Sequence, residues 1–176
     1  MSVTRSRAVV VLALATAGLV AASAAATTHR TTVVKSALNA HQHKRIVVNA
    51  HGATLYLLTG DTPRHLKCTH KLVNGLDCLT FWKPLTVRSS STSKIKAGSG
   101  VTGKLGLFKR ARNSYQVTLR GIPLYTYVGD RRNGDVTGEG IRTFGGTWHT
   151  LPATTRSAAP KPSPAPAPAP VSYPPY

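Results

Sequence analysis

Four side chains that bind soft metals or form cross-links lie close together in the first half of the chain: His65, Cys68, His70 and Cys78. Two Cys in an exported protein favour a disulfide, and closing the Cys68–Cys78 loop contributes about 2–3 kcal/mol on the chain-entropy model. The rival reading is a zinc-type site made with the two His, but the spacing matches no standard ligand pattern; free thiols are the third reading. A second cluster is Asp130-Arg131-Arg132-Asn133-Gly134-Asp135-Val136-Thr137-Gly138-Glu139-Gly140, which holds three of the chain's five acids. Its oxygens suit calcium, but the spacing is not that of an EF-hand and two Arg sit inside. An ordered loop held by Asx turns and acid–Arg pairs is the plainer reading. Asp61 and Asp130 end similar strands and could meet across a pseudo-twofold axis, as an unrecognised enzyme would need; turn-forming Asp residues explain both more simply. No close carboxylate pair, nucleophile elbow or activated thiolate stands out. The sequence therefore argues against an enzyme and implies no cofactor and no bound metal.

These residues need a scaffold, and a repeated stretch supplies it. Leu55-Tyr56-Leu57-Leu58-Thr59-Gly60-Asp61 returns as Leu124-Tyr125-Thr126-Tyr127-Val128-Gly129-Asp130. Each copy follows a Gly, Gly52 or Gly121, and precedes a Trp, Trp82 or Trp148. An ungapped alignment of 45–61 on 114–130 matches Val48 to Val117, Gly52 to Gly121, Leu55 to Leu124 and Tyr56 to Tyr125. Ile46, Val47 and Val48 favour the pleated backbone, and Asn49-Ala50-His51-Gly52 is a turn. Alternation puts Tyr56 and Leu58 on one face of the next strand and Leu55 and Leu57 on the other. With both faces apolar, that strand is central in its sheet. Phe81-Trp82-Lys83-Pro84-Leu85 reads as core, with an exposed aromatic clamp for sugar as the alternative. In the second copy, 104–109, 114–119 and 122–128 read as strands, and Phe144 to Leu151 as a closing strand.

The predicted fold is all-β: one small domain of two duplicated β-hairpin repeats, sandwich- or barrel-like, with one disulfide loop and disordered ends. Residues 1–26 have the charged start, apolar run and small-x-small sites of a secretory signal peptide. Its apolar run is too short to span a bilayer, so no transmembrane segment remains after cleavage. Residues 27–43 read as a weakly ordered lead-in, with one turn of helix near 36–40. The duplicated domain covers 44–152, in repeats of about 44–88 and 104–152. A Ser/Thr/Lys/Gly connector lies between them at 89–100. The Pro/Ala-rich tail, 153–176, favours polyproline II and cannot build a core; it reads as a spacer, a wall tether or a Tyr-Pro ligand.

Charge gives the one functional pointer. Lys and Arg number 23 against 5 acids, for a net charge of +18, an imbalance that implies an anionic partner or surface. Lys94, Lys96, Lys104, Lys109, Arg110, Arg112 and Arg120 crowd the entry to the second repeat. They predict salt-dependent binding of anionic cell-wall polymer, acidic lipid headgroups or extracellular nucleic acid. A metal or redox carrier, using the Cys-His segment or the tyrosines, is the competing class.

The ordered motifs resemble a bacterial secreted and lipoprotein repeat family marked by Tyr-x-aromatic-x-x-Asp. The first copy is Tyr56, Leu58, Asp61, with Leu where an aromatic is usual; the second is Tyr125, Tyr127, Asp130. Cys68…Cys78 before Trp82-Lys83-Pro84-Leu85, the Gly134–Gly140 loop and Gly145-Gly146-Thr147-Trp148 extend the resemblance over roughly 44–152. The Cys spacing is wider than usual in that family. The lipid-attachment Cys of many relatives is absent, which implies a soluble or wall-associated protein, secreted to the extracellular space. The family is of unknown function, so the resemblance implies fold and address but no activity.

Overall fold

The structure is a computed structural model that describes residues 29–154. The signal segment and nearly all of the Pro/Ala tail, with the expectation of disorder attached to them, lie outside the described residues. In chain order the elements are β1 (Thr31–Asn39), β2 (Lys44–Asn49), β3 (Tyr56–Leu58), a one-turn helix α1 (Cys78–Phe81), β4 (Trp82–Pro84), β5 (Thr86–Val87) and β6 (Ile95–Ala97). Then follow β7 (Leu105–Ala111), β8 (Ser114–Leu119), β9 (Ile122–Pro123), β10 (Tyr125–Tyr127), β11 (Arg142–Thr143) and β12 (Gly146–Thr150). The sheets curl into a half-barrel.

The central sheet has the order β11-β12-β3-β10-β4. Its middle is the antiparallel pair β3 and β10, with Tyr56 opposite Tyr125. Outside each lies a Trp strand from the other repeat. Strand β12 flanks β3, with Trp148 opposite Leu58 and Thr150 opposite Tyr56. Strand β4 flanks β10, with Trp82 opposite Tyr127 and Pro84 opposite Tyr125. The residues just after each Trp strand then cross to the opposite hairpin. Val47 N–H donates to Leu151 O at 2.9 Å, and Val117 N–H donates to Leu85 O at 2.8 Å. Pro152 bridges Ile46, as Thr86 pairs Gln116. The two repeats are intertwined, each closed by the other's last strand.

This geometry corrects the ungapped alignment upstream of the turn. Leu55 N–H donates to Val47 O and Leu124 N–H to Val117 O, both at 3.1 Å, so Val117 corresponds to Val47 and not to Val48. The extra residue sits in the first turn, where Asn49 Oδ1 accepts the N–H groups of His51 and Ala53. The second turn is the two-residue Arg120-Gly121, with φ of 56° and 80°, the left-handed pair that joins tightly twisted hairpin strands.

Two expectations are overturned. The stretch 31–39, placed in a weakly ordered lead-in with a helical turn, is the nine-residue strand β1, paired antiparallel with β2 and parallel with β6. Val33 and Val34 anchor it, at 6% and 0% exposure. The solvated connector contains β6, whose Ile95 is buried. In both, a short apolar anchor, Val33-Val34 or Ile95, suffices because neighbouring strands supply the ladder. The first repeat thus begins at β1, and the tail begins later than residue 153, since Ala153 is buried and its N–H donates to Arg45 O.

Strand alternation divides the interior in two. Leu55, Leu124, Val47, Val117, Leu151 and their neighbours form an aliphatic core. Tyr56, Leu58, Trp82, Tyr125 and Trp148 form an aromatic core on the other face, with the disulfide at its edge.

Candidate functional site

The aromatic core is where the repeated motif does its chemistry. Tyr56 Oη donates to Asp130 Oδ2 at 2.8 Å, and Tyr125 Oη donates to Asp61 Oδ2 at 2.7 Å. Each tyrosine thus bonds the aspartate of the other repeat. The register explains the exchange: with Tyr56 and Tyr125 opposed on antiparallel strands, each side chain reaches past the end of its neighbour, where that neighbour's strand turns at Gly-Asp. The tryptophans obey the same near-twofold relation. Trp82 and Trp148 stack with centroids 3.7 Å apart and planes 5° apart. Tyr56 meets Trp82 edge-on at 5.4 Å, and Tyr125 meets Trp148 edge-on at 5.3 Å. Such pairs add to the burial energy of the rings. Both tryptophans are fully buried, so the ring face a sugar clamp would need is taken up inside.

The two carboxylates differ in setting. Asp61 is buried, and its Oδ1 accepts the Lys67 backbone N–H at 2.7 Å. Burial raises its pKa, against the opposing pull of Tyr125, the Lys67 N–H, and the charges of Arg110 and Lys67. Asp130 is half-exposed, and its Oδ1 accepts both the N–H and the hydroxyl of Thr137, at 3.0 and 2.6 Å. Burial, with the adjacent carboxylate, raises both phenols' pKa values, so each remains a donor across the physiological range. Both carboxylates are thus engaged by the fold's own donors.

The other candidate ligands are likewise committed. Cys68 and Cys78 are joined, with Cα atoms 5.3 Å apart, which withdraws both sulfurs from a metal set. His70 Nδ1 lies 2.8 Å from Asp77 Oδ2, and His65 is exposed. Among the described residues, no group of three or more His, Cys, Asp or Glu could hold a metal ion. In the acidic loop, Asp135 Oδ2 accepts the N–H groups of Arg131 and Arg132 at 2.8 and 2.9 Å, which lower its pKa. Glu139 faces away, to the Thr150 N–H and hydroxyl and to His149 Nδ1. Burial would raise its pKa, but these bonds and Gln42 hold it down at about 2. The three acids brace three directions and do not converge.

The seven basic residues separate by role. Lys94, Lys96, Lys104, Lys109 and Arg112 are exposed. Arg110 and Arg120 are half-buried, and their guanidinium groups donate to backbone carbonyls, with Arg110 Nη1 buried and unpaired. Arg110 Nη2 donates to Cys68 O at 2.6 Å, and Arg120 donates to the carbonyls of Thr102 and Pro152, both at 2.9 Å. Around β6 the chain adds cations that sequence distance concealed. A cleft of about 470 Å³ is lined by Arg30, Thr92, Ser93, Lys96 and Lys104. A second, of about 420 Å³, is lined by His29, Arg88, Ser89 and Lys94. Arg88 joins this face because β5 crosses to β8, and Arg30 because β1 and β6 pair in parallel, its guanidinium donating twice to Ile95 O at 3.0 and 2.7 Å; no local pattern announces either contact.

No curated protein and no solved structure matches the chain. Residues 106–151 match a family model described as a secreted repeat of unknown function. The matched stretch runs from β7 into the residue after β12, the second of the two intertwined repeats. Among the described residues, no helix is long and apolar enough to cross a membrane.

Proposed function

From a chain that carries a secreted repeat of unknown function, we propose a non-catalytic extracellular protein that holds anionic polymer on its basic face. The face comprises the two clefts on either side of β6, with Lys94, Lys96 and Lys104 as the exposed cations and Arg30 and Arg88 beside them. Anionic cell-wall polymer, reached at the envelope of the producing cell, is the biological ligand this reading favours.

One observation carries it. All five acids lie among the described residues, and among those residues none forms an ion pair with Lys or Arg; the two ion pairs found there use His70 and His149. The carboxylates are consumed by tyrosines, backbone N–H groups and histidines. The net charge, +18 over the full sequence and +16 without Arg5 and Arg7 of the signal segment, attracts polyanions and releases their counterions.

The test uses a fluorescein-labelled duplex oligonucleotide as a generic polyanion and measures Kd against salt. Binding should weaken steeply with salt. A variant with Lys94, Lys96 and Lys104 changed to Ala should flatten the log–log slope by about 0.9 for each phosphate it no longer neutralises. Salt-independent binding, or an unchanged slope in the triple variant, would overturn the proposal.

A further inference from the structure

Among the described residues, three of the five large exposed hydrophobic ones, Leu72, Val73 and Leu76, sit together on the cross-linked loop, at 62%, 37% and 46% exposure. They are not on a slack segment. Val73 and Leu76 exchange two backbone hydrogen bonds at 3.0 Å. Between them Asn74 and Gly75 have φ of 53° and 76°, the tightest hairpin turn available. The Cys68–Cys78 bond closes the base, and Arg110 fastens it to the β7–β8 hairpin through Cys68 O. The apolar tip runs into a recess of about 170 Å³ lined by Leu76, Phe81, Trp82, Tyr127, Ile141 and Phe144.

The polar surroundings identify what covers it. Lys71 adjoins the tip, Lys83 follows α1, and Lys109 and Arg112 crown the hairpin that Arg110 fastens to the loop; all four are exposed. The loop's one acid, Asp77, is partly exposed and engaged, capping α1 through the Leu79 N–H and pairing with the exposed His70. The tip is thus apolar with a cationic surround. A second copy is a poor occupant, because two chains of +16, the net charge without Arg5 and Arg7 of the signal segment, repel. A soluble polyanion satisfies the cations but leaves the leucines in water. An anionic lipid bilayer satisfies both, with headgroups against the cations and acyl chains around the leucines.

We infer that the Leu72–Leu76 hairpin is a preformed finger that inserts into the interfacial region of an anionic lipid bilayer. It shares the charge excess of the polymer-binding reading but uses a different surface. The turn and the cross-link hold the finger in shape before contact, so little ordering cost is added on insertion.

The test is cosedimentation of the full chain with vesicles of phosphatidylcholine alone or with phosphatidylglycerol. Partitioning should require phosphatidylglycerol and should fall on the order of thirtyfold in L72S/L76S, since each leucine loses about one decade or somewhat less. Oligonucleotide binding should be unchanged, which separates this failure from failure of the basic clefts. In a Leu72→Trp variant, emission should shift to the blue on phosphatidylglycerol vesicles. Equal partitioning of L72S/L76S and wild type, indifference to phosphatidylglycerol, or an unshifted emission would overturn the inference. So would a dimer in sedimentation velocity that L72S/L76S abolishes, which would assign the finger to a second copy.

Discussion

The crossed tyrosine–aspartate bonds look equivalent, yet removing them should not cost the same. In Tyr125→Phe the ring packing survives and one hydroxyl goes. Asp61 is then left at 3% exposure with Oδ2 stripped of the donor it held at 2.7 Å. A hydrogen bond to a charged group contributes about 1.5–3 kcal/mol, and a buried acceptor left unpaired adds to the loss. We expect about 2–3 kcal/mol, a large share of the ~5–15 kcal/mol that holds such a domain together, and a melting point lower by on the order of 10 °C. In Tyr56→Phe the loss should be smaller, about 1–2 kcal/mol: Asp130 keeps two bonds from Thr137 and lies where water reaches it, and the cost comes mainly from the buried Gly138 N–H, which loses the hydroxyl as acceptor at 3.3 Å. Urea unfolding followed by tryptophan emission, with the disulfide intact, measures both. Asp61 has a raised pKa in the fold, so its protonated form contributes stability at low pH that is lost as pH rises through the folded value. Losing the phenol donor raises that value further, and the Tyr125→Phe deficit should shrink on acidification. A loss in Tyr56→Phe as large as in Tyr125→Phe, or additive effects in a Tyr125/Asp61 double-mutant cycle, would refute the argument.

Glu139 should govern the acid limb of stability. Its carboxyl is held at about 2, below the ordinary 4.5, so it contributes stability above pH 4.5 that is lost as pH falls toward 2. Solvent screening of a partly exposed group limits this to about 1–2 kcal/mol, and Glu139→Gln should remove that pH dependence in thermal melts between those values. Gly138→Ala should lower stability by about 1–3 kcal/mol. A Cβ there would meet Trp82 Cη2 at 2.7 Å and Tyr56 Cε1 at 3.0 Å, atoms of rigid rings that cannot step aside; a melting point equal to wild type would show that the aromatic core can relax.

What was readable in the sequence was local. The signature strands, the turn glycines and the alternation that splits Tyr56 and Leu58 from Leu55 follow from backbone geometry within a few residues. Strands β1 and β6 were not readable, because Val33-Val34 and Ile95 are apolar islands in polar runs and acquire strand form only through pairing, β1 between β2 and β6 and β6 against β1. The crossing was not readable either. Nothing in Trp82-Lys83-Pro84 says which copy it will flank, and the five-residue step from Tyr56 to Asp61 suggests an internal pair where the structure has an exchanged one. The basic face shows the same limit: Lys94, Lys96 and Lys104 are neighbours in sequence, whereas Arg30 and Arg88 join them through pairing.

A lone unit of this kind would have an open sheet, an unanswered phenol and half of a ring stack. Only its twin could supply the missing pieces, so the smallest self-sufficient object is a pair. Placing both units on one polypeptide turns what would be an encounter between separate molecules into an internal event. A secreted chain diluted into its surroundings therefore cannot lose its other half.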